Sequence, residues 1–519
     1  MIRMFIVEDK PLILRSIREK IQNFGPQVAI VGEALNGREA LSVIEAQRPD
    51  IVLTDIRMPV MDGLQLIAET KRLLPDTEFI IISGHDEFAY ARQAIKLNVR
   101  EYLLKPVDDE ELRLILGRLI DTISARKHER ERDFLHDAIH SYRQSVSGHP
   151  LSGFDRFVVV SLQAGSYSNF IIDYSNPFNG FWSGADCEPQ IEALLQEDEK
   201  CWFLEGKTLN EQLVVIGGRR LDDARIGLLA DDLERFLKNY DIPITAGVSR
   251  CILGVEQLAI ETQFLRAFIR NFSIFGKSSV IRQKEWGYLN EDRQDVQMLL
   301  DASLENKLTL LVRGEKKEAL MQEIRSLFER WEESGITQIR LESLLKQLIQ
   351  ICHKAVNGML PVHPNVYMEV DEIISISKNY ETLFQGLAYI LDYFFPKSDR
   401  PKGNRTILEE VEKVKRFLNE NYQRPITIHD IARMINFHPG YVSRIFKNAV
   451  GVSPMEYLTT YRINKAKEWM ETNPEMTLKE IAELVGYSNP FYFSRIFKVV
   501  AGVSPSEYRN AKPAPQRKN

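Results

Sequence analysis

Five side chains able to do chemistry stand at the ends of short apolar runs in the first 110 residues. Glu8 and Asp9 follow MFIV, Asp55 closes IVLTD, Ser83 follows FIII, and Lys105, with Pro106 behind it, follows EYLL. Carboxylates crowded into one place repel, and such a cluster persists when a hard cation such as Mg²⁺ neutralises it. A carboxylate in that setting, with an ammonium and a hydroxyl in reach, can attack a phosphoryl donor in line. The cation and the ammonium then stabilise the transferring oxygens, and the hydroxyl bonds the product. Asp55 is therefore the candidate nucleophile, Glu8, Asp9 and Asp55 the candidate Mg²⁺ ligands, and Ser83 and Lys105 the stabilising groups. An Asp after an apolar strand is, taken alone, usually a cap or turn residue. It is the five in register that point to a site.

The elements that must position these groups are legible in the same stretch. MFIV, VAIVGEA, DIVLTD, FIIISG and EYLLK are near-continuous apolar runs, as expected of parallel strands covered on both faces. Helical stretches begin near Pro11, Asn36, Gly63, Glu87 and Asp108. Five βα units predict a doubly wound sheet, in which the carboxyl ends of strands one, three, four and five converge on one edge. The pieces VED at 7–9, DIRMPVMDGL at 55–64, SGHDEFAYA at 83–91 and YLLKPVDDEEL at 102–112 resemble the receiver domain of two-component response regulators, over residues 1–122. The resemblance implies that Asp55 is phosphorylated by a sensor histidine kinase. It also implies that Asp9 and Asp55 ligate Mg²⁺ with Glu8 assisting through water, and that the Arg57 carbonyl completes the protein ligands. Ser83 and Tyr102 become the switch pair, and Lys105 precedes a cis peptide bond to Pro106. The first acid is Glu where the family more often has Asp, a departure that leaves the metal site intact.

Beyond residue 122 the last helix of the receiver overruns it. Leu112, Ile115, Leu116, Leu119, Ile120 and Ile123 form a helical stripe, ARKHERERD supplies charge, and Phe134, Leu135, Ala138, Ile139 and Tyr142 resume apolar spacing. Residues 123–150 are read as a helical linker: either a continuous signalling helix or dimer coiled coil, or a solvated connector. Residues 151–283 form a middle α/β domain with the βαββαβ flavour of a nucleotide-cyclase-like fold, and ITAGVSR before an amphipathic helix resembles a degenerate GGDEF-type domain. The hairpin candidate near Leu213 reads LVVIGGRRLDDA and lacks a GGDEF-like turn, so interaction or dimerisation is expected there rather than cyclic dinucleotide synthesis. Residues 284–400 read as a helical packing or relay element.

The C-terminal segment carries an internal repeat. SRIFKNAVGVSPMEY at 443–457 and SRIFKVVAGVSPSEY at 494–508 agree at 11 of 15 positions. Each follows a short helix and a turn, near Asn436 in one copy and Gly486 in the other, and YRINKAKEWMET joins them. Two rigidly spaced recognition helices can read adjacent segments of the major groove, about 34 Å apart, from one chain. Residues 401–519 hold 19 Lys and Arg against 12 Asp and Glu, whereas the remainder holds 48 against 61, so only this segment is basic. Residues 405–511 look like the AraC/XylS-type DNA-binding domain. That likeness places Gly440, Tyr441, Ser443, Arg444 and Lys447 near DNA from a first recognition helix running from His438 to about Asn448. A second helix beginning at Asn489 presents Asn489, Pro490, Tyr492, Arg495 and Lys498. Gly440 and Pro490 are poor base readers, whereas Arg and Lys reach phosphates or the guanine edge.

The fold class expected is thus multidomain α/β plus all-α: a doubly wound (βα)5 receiver, a middle degenerate cyclase-like α/β and helical region, and a C-terminal double helix-turn-helix. At 519 residues the chain exceeds a single core, which stops growing near roughly 250–300 residues. Cys187, Cys201, Cys251 and Cys352 are scattered without metal-ligand spacing, which fits a reducing cytoplasm. No signal peptide or membrane-spanning run is read. The domain order resembles YesN-like response regulators of Gram-positive bacteria. That likeness implies a non-enzymatic transcription regulator that binds promoter DNA, works with RNA polymerase, forms a homodimer on phosphorylation and often controls carbohydrate uptake or utilisation genes. The alternative is a metabolite-sensing AraC-type regulator with a vestigial receiver.

Overall fold

The computed structural model describes all residues except 26, 85–96, 98, 100, 141–149, 152, 168–177, 180, 284–299, 358–363, 396–403, 436–438, 488–489 and 512–519. The chain divides into two units, residues 1–131 and 132–519.

In the first unit, β1 (Ile2–Val7), β2 (Val28–Ala34), β3 (Ile51–Asp55), β4 (Glu78–Ser83) and β5 (Glu101–Leu104) form a parallel sheet in the order β2-β1-β3-β4-β5. Alternate side chains face opposite ways, and both faces are apolar, as the runs predicted. Met4, Ile6, Leu53, Ile80 and Ile82 pack on Leu14 and Ile17 of α1 (Pro11–Gln22) and on Leu112, Leu116 and Leu119 of α4 (Asp109–His140). Phe5, Val7, Val52, Phe79 and Ile81 meet Ala40 and Ile44 of α2 (Gly37–Gln47) and Leu66 and Ile67 of α3 (Gly63–Leu73). Local signals set the helix starts. Asn36 caps α2 by accepting the Glu39 N–H at 2.9 Å, and Asp62 forms a reciprocal capping box with Gln65 at the start of α3. The helix expected near Glu87 lies outside the described residues.

The helix that begins at Asp109 is a single element of 32 residues, so the charged stretch ARKHERERD does not interrupt it. Part of its charge is used within the first unit: Arg126 pairs with Glu78 at 2.6 Å, Lys127 with Asp50 at 2.7 Å and Arg130 with Asp76 at 2.7 Å. Its last turns belong to the second unit, where Leu135 and Ile139 are buried.

That unit opens with β6 (Arg156–Ala164), β7 (Lys200–Glu205), β8 (Glu211–Gly218), β9 (Ile244–Val248), β10 (Ile252–Leu253) and β11 (Ser279–Arg282), in the order β11-β9-β6-β8-β7 with β10 paired to β6. Helix α5 (Asp223–Leu237) covers one face and α6 (Leu258–Phe272) the other. The hairpin differs from the expected one. Leu213 and the Gly217–Gly218 pair lie inside β8, and the turn is 206–210, GKTLN. A Cβ on Gly217 would meet Trp202 at 3.0 Å and Phe154 at 3.2 Å, so this glycine admits packed aromatics instead of turning the chain. The turn-forming glycine is Gly206, where a Cβ would lie 2.5 Å from the Glu211 carbonyl oxygen.

Helices α7 (Ala302–Arg313), α8 (Lys317–Ser334), α9 (Gln338–Asn357), α10 (Pro364–Ile376) and α11 (Tyr380–Leu391) follow, with one core containing Leu327, Trp331, Leu345 and Leu387. The chain ends in α12 (Asn404–Asn421), α13 (Ile428–Met434), α14 (Pro439–Val450), α15 (Pro454–Thr472), α16 (Leu478–Leu484), α17 (Pro490–Ala501) and α18 (Pro505–Ala511).

One buried ion pair holds the middle sheet to α5: the Arg225 guanidinium meets both oxygens of Glu199, at 2.8 and 2.7 Å. Burial opposes ionisation of Glu199, but hydrogen bonds from Arg225 and the Gln196 N–H outweigh it and hold the carboxyl below its ordinary range. Glu199→Gln should therefore cost about 3 kcal/mol in urea unfolding at neutral pH. Because the folded pKa is depressed, the wild-type advantage is complete above the unfolded carboxyl pKa of about 4.3 and disappears as pH falls through the folded value.

Candidate functional site

The sheet order brings the predicted residues together. Asp55 ends β3 and is 7 % exposed, while Glu8, just after the adjacent β1, is fully buried. The Lys105 ammonium bridges them, 2.7 Å from Asp55 Oδ2 and 2.6 Å from Glu8 Oε2. Asp55 Oδ1 accepts the Ile56 N–H at 2.6 Å and the Arg57 N–H at 3.4 Å, which fixes the carboxylate plane. One oxygen each from Glu8, Asp9 and Asp55 lie within 4.8 Å of one another. Asp9 Oδ1 is buried with no hydrogen-bond partner. A buried anionic oxygen without a donor is costly, so the donor set fits a hard cation such as Mg²⁺.

The electrostatics follow from this crowding. Burial raises the Glu8 pKa, opposed by the Lys105 hydrogen bond and reinforced by the Asp55 charge. Burial works against the Lys105 charge, yet hydrogen bonds to Asp55 and Glu8 outweigh it and hold the ammonium above its ordinary value. Ser83 ends β4 with 6 % exposure, and Tyr102 lies half-buried on the neighbouring β5, its backbone in register with Ile81. The Lys105–Pro106 peptide is cis, as the resemblance implied. Sequence reasoning assigned no role to the Ile56 N–H or to Gly63. A Cβ on Gly63 would lie 2.1 Å from the Asp55 carbonyl oxygen, so only glycine lets α3 begin this close to the site.

In the C-terminal region α13 and α14 form one helix-turn-helix and α16 and α17 the other, with α15 between them. The repeated pairs Ile445/Phe446 and Ile496/Phe497 are buried core, and Gly486 turns at φ +89°, where a Cβ would meet the Tyr422 carbonyl at 2.7 Å. Lys447 and Lys498 are exposed and Tyr492 is half-buried against Tyr487. His438 and Asn489 lie outside the described residues, as do the side chains of Tyr441 and Arg444. Ser443 requires a correction: it is 3 % exposed, because α14 packs on α10 and α11 as well as on α13. It is not presented to DNA in this structure. Arg495 is also engaged internally, donating to the Gly206 carbonyl at 2.7 Å. Sequence reasoning missed Arg462, which is 9 % exposed and donates to the Tyr422 and Arg424 carbonyls at 2.7 and 2.6 Å, pinning α15 to the loop before α13.

An acidic phosphoacceptor-like cleft on a doubly wound sheet, joined to a paired helix-turn-helix, defines a response regulator. Family models agree: the response regulator receiver domain matches residues 4–116 and a helix-turn-helix domain matches 431–511. The chain thus carries a response regulator receiver domain and an AraC-type helix-turn-helix domain, the pair that makes a two-component response regulator controlling transcription. It is similar to the uncharacterized transcriptional regulatory protein YesN of Bacillus subtilis, at 22 % identity over 98 % of both chains. It is 36 % identical to the transcriptional regulatory protein HptR of Staphylococcus aureus over 27 % of this chain and 55 % of that one, so it spans about half of that relative. Among solved structures, the REC domain of AraT, a response regulator from Geobacillus stearothermophilus, matches at 37 % identity over 24 % of this chain and 98 % of that one, with a TM-score of 0.23. The AraT C-terminal domain matches at 32 % over 21 % and 91 %, with a TM-score of 0.21. Among the described residues no helix is long and apolar enough to cross a membrane.

Gly63→Ala should lower receiver stability by about 1–3 kcal/mol and slow labelling by acetyl phosphate, because the added methyl displaces the Asp55 backbone. Thermal unfolding and a phosphate-affinity gel would measure both.

Proposed function

We propose that a partner histidine kinase phosphorylates Asp55 and that phosphorylation controls sequence-specific promoter binding by the C-terminal domain. The observation that carries this reading is the unpartnered buried oxygen of Asp9 beside Glu8 and Asp55, with Lys105 bridging two of the three carboxylates. Glu8, Asp9, Asp55 and the Arg57 carbonyl would hold Mg²⁺, which when bound neutralises charge on the phosphoryl oxygens. Asp55 attacks phosphorus, an O–P bond forms, and the P–N bond to the kinase histidine breaks. The Ile56 and Arg57 N–H groups keep the attacking carboxylate oriented, and the Lys105 ammonium follows the developing charge. Phosphorylation adds roughly −1.5 to −2 units of charge, which draws in the Ser83 hydroxyl and turns Tyr102 inward.

The proposed domain limits are 1–122, 123–150, 151–283, 284–400 and 405–511; the first of them falls within the unbroken helix α4, and the two compact units divide at residue 131. The middle domain serves interaction rather than cyclic dinucleotide synthesis; its hairpin turn, GKTLN, carries none of the acidic residues such chemistry needs. Tyr441, Arg444, Lys447, Asn489, Tyr492, Arg495 and Lys498 are the proposed DNA contacts. Dimerisation on phosphorylation, cooperation with RNA polymerase, a cytoplasmic location and control of carbohydrate genes rest on the YesN-like domain order. The buried acidic cleft is retained in full, which disfavours a vestigial receiver under a metabolite sensor.

Selection from a genomic fragment library, with and without acetyl phosphate and Mg²⁺, tests the switch: enrichment should require phosphorylation and vanish in Asp55→Asn. Equal binding by both proteins would overturn it. In the phosphorylated chain Arg444→Ala and Arg495→Ala should each weaken binding to the enriched fragment, by about 1–3 kcal/mol where the Arg reads a guanine, and affinity should fall steeply with salt.

A further inference from the structure

The second recognition helix, α17, is held by the middle domain. Arg495 donates to the carbonyl of Gly206, the first residue of the β7–β8 turn, and its Nε lies 3.9 Å from the Glu205 carboxylate. Its side chain keeps 23 % exposure. At the far side of the same turn Leu209 is 6 % exposed and packs into the core of the second helix-turn-helix, with Ile463, Val485, Phe493 and Phe497. An apolar anchor and a backbone acceptor thus grip one helix from a five-residue turn, with the carboxylate that ends β7 beside them.

The turn is braced from below. Glu211 accepts the Lys207 N–H at 2.5 Å and the Ser161 hydroxyl at 3.0 Å and pairs with Arg266 at 2.8 Å; Asn210 donates to the Ala164 carbonyl at 2.8 Å. Strand β7, which leads into the turn, meets α4. Leu135 and Ile139 pack with Trp202 and Leu204 of β7. The helix that starts in the receiver therefore ends on the strand whose tip holds Arg495.

We propose that the β7–β8 turn is an autoinhibitory clamp on the second recognition helix, released when α4 shifts. Gly206 and Glu205 offer Arg495 a carbonyl and a carboxylate, the acceptor types that a guanine edge and a phosphate offer on DNA, so turn and DNA compete for one guanidinium. The first helix is covered in parallel, α14 lying on α10 and α11. The inference rests on reading Arg495 as a DNA contact.

The test uses the full chain and a promoter fragment enriched by the phosphorylated wild type. Unphosphorylated Leu209→Ala, which changes no charge, should bind that fragment on the order of 5-fold or more tighter than unphosphorylated wild type, and its gain on phosphorylation should shrink accordingly. Glu205→Ala, a substitution at an exposed side chain, should act in the same direction. In hydrogen exchange, segments 205–210 and 492–499 should lose protection together, both in Leu209→Ala and in wild type on phosphorylation. Folded variants that bind as weakly as wild type, with protection unchanged, would overturn the clamp. An Arg495→Ala chain that, once phosphorylated, binds as wild type does would instead reject the DNA-contact reading beneath it.

Discussion

The Lys105 ammonium, set between Glu8 and Asp55, is the interaction on which the receiver's chemistry depends. It comes from β5 while its partners come from β1 and β3, so it can reach them only if the sheet has the order β2-β1-β3-β4-β5. One ammonium cannot balance three carboxylates in a buried cleft, and the shortfall appears structurally as the unpartnered oxygen of Asp9. That residual negative charge is what a divalent cation answers. A phosphoryl group on Asp55, as proposed, would have to share the ion pairs that close the cleft among three new oxygens. Ser83 and Tyr102 sit on the two adjacent strands, β4 and β5, so such a redistribution would reach the sheet edge directly.

The helix α4 is the element shared by the two units. No Gly or Pro stands between Arg118 and His140, and the helix continues unbroken through that span. Ion pairs at Arg126, Lys127 and Arg130 fix it to the first unit, and buried Leu135 and Ile139 fix it to the second. The continuous-helix expectation was the sequence-legible half of this, since apolar spacing resumes at Phe134. Which of its arginines pair with the sheet's acids depends on tertiary placement and left no mark in the periodicity.

The receiver was legible because its signals are local and repeated: apolar runs for buried strands, Asn36 and Asp62 for caps, and a topological rule that gathers strand ends. The hairpin expected near Leu213 lies elsewhere: Leu213 is inside a strand, Gly217 is small to admit Trp202 and Phe154, and the turn is GKTLN. Ser443 was misplaced for a different reason. Its neighbours Val442, Ile445 and Phe446 define one buried stripe, and a helix with a single packed face would leave Ser443 at its margin. It is buried because α14 has a second packed side, against α10 and α11, which no property of residues 439–450 announces. Arg495 belongs to the same class: its type was read correctly as an acceptor-seeking cation, and the acceptor it finds in this structure is 289 residues away in the chain.

The paired architecture makes gripping one helix an efficient control. Arg462 ties α15 to the carbonyls of Tyr422 and Arg424, and Gly486 approaches the Tyr422 carbonyl so closely that no side chain fits there, so the two helix-turn-helix units are set against each other through one shared loop. Rigid spacing lets both recognition helices engage adjacent groove segments with little further loss of freedom, so their contributions combine as linked sites do. The converse also holds. Under the proposed clamp, with Leu209 and Gly206 holding the second helix-turn-helix, the first cannot swing independently, and affinity would fall further than the loss of one helix's contacts alone. A five-residue turn burying one leucine can in this way govern a module of about a hundred residues, because the module was built not to bend.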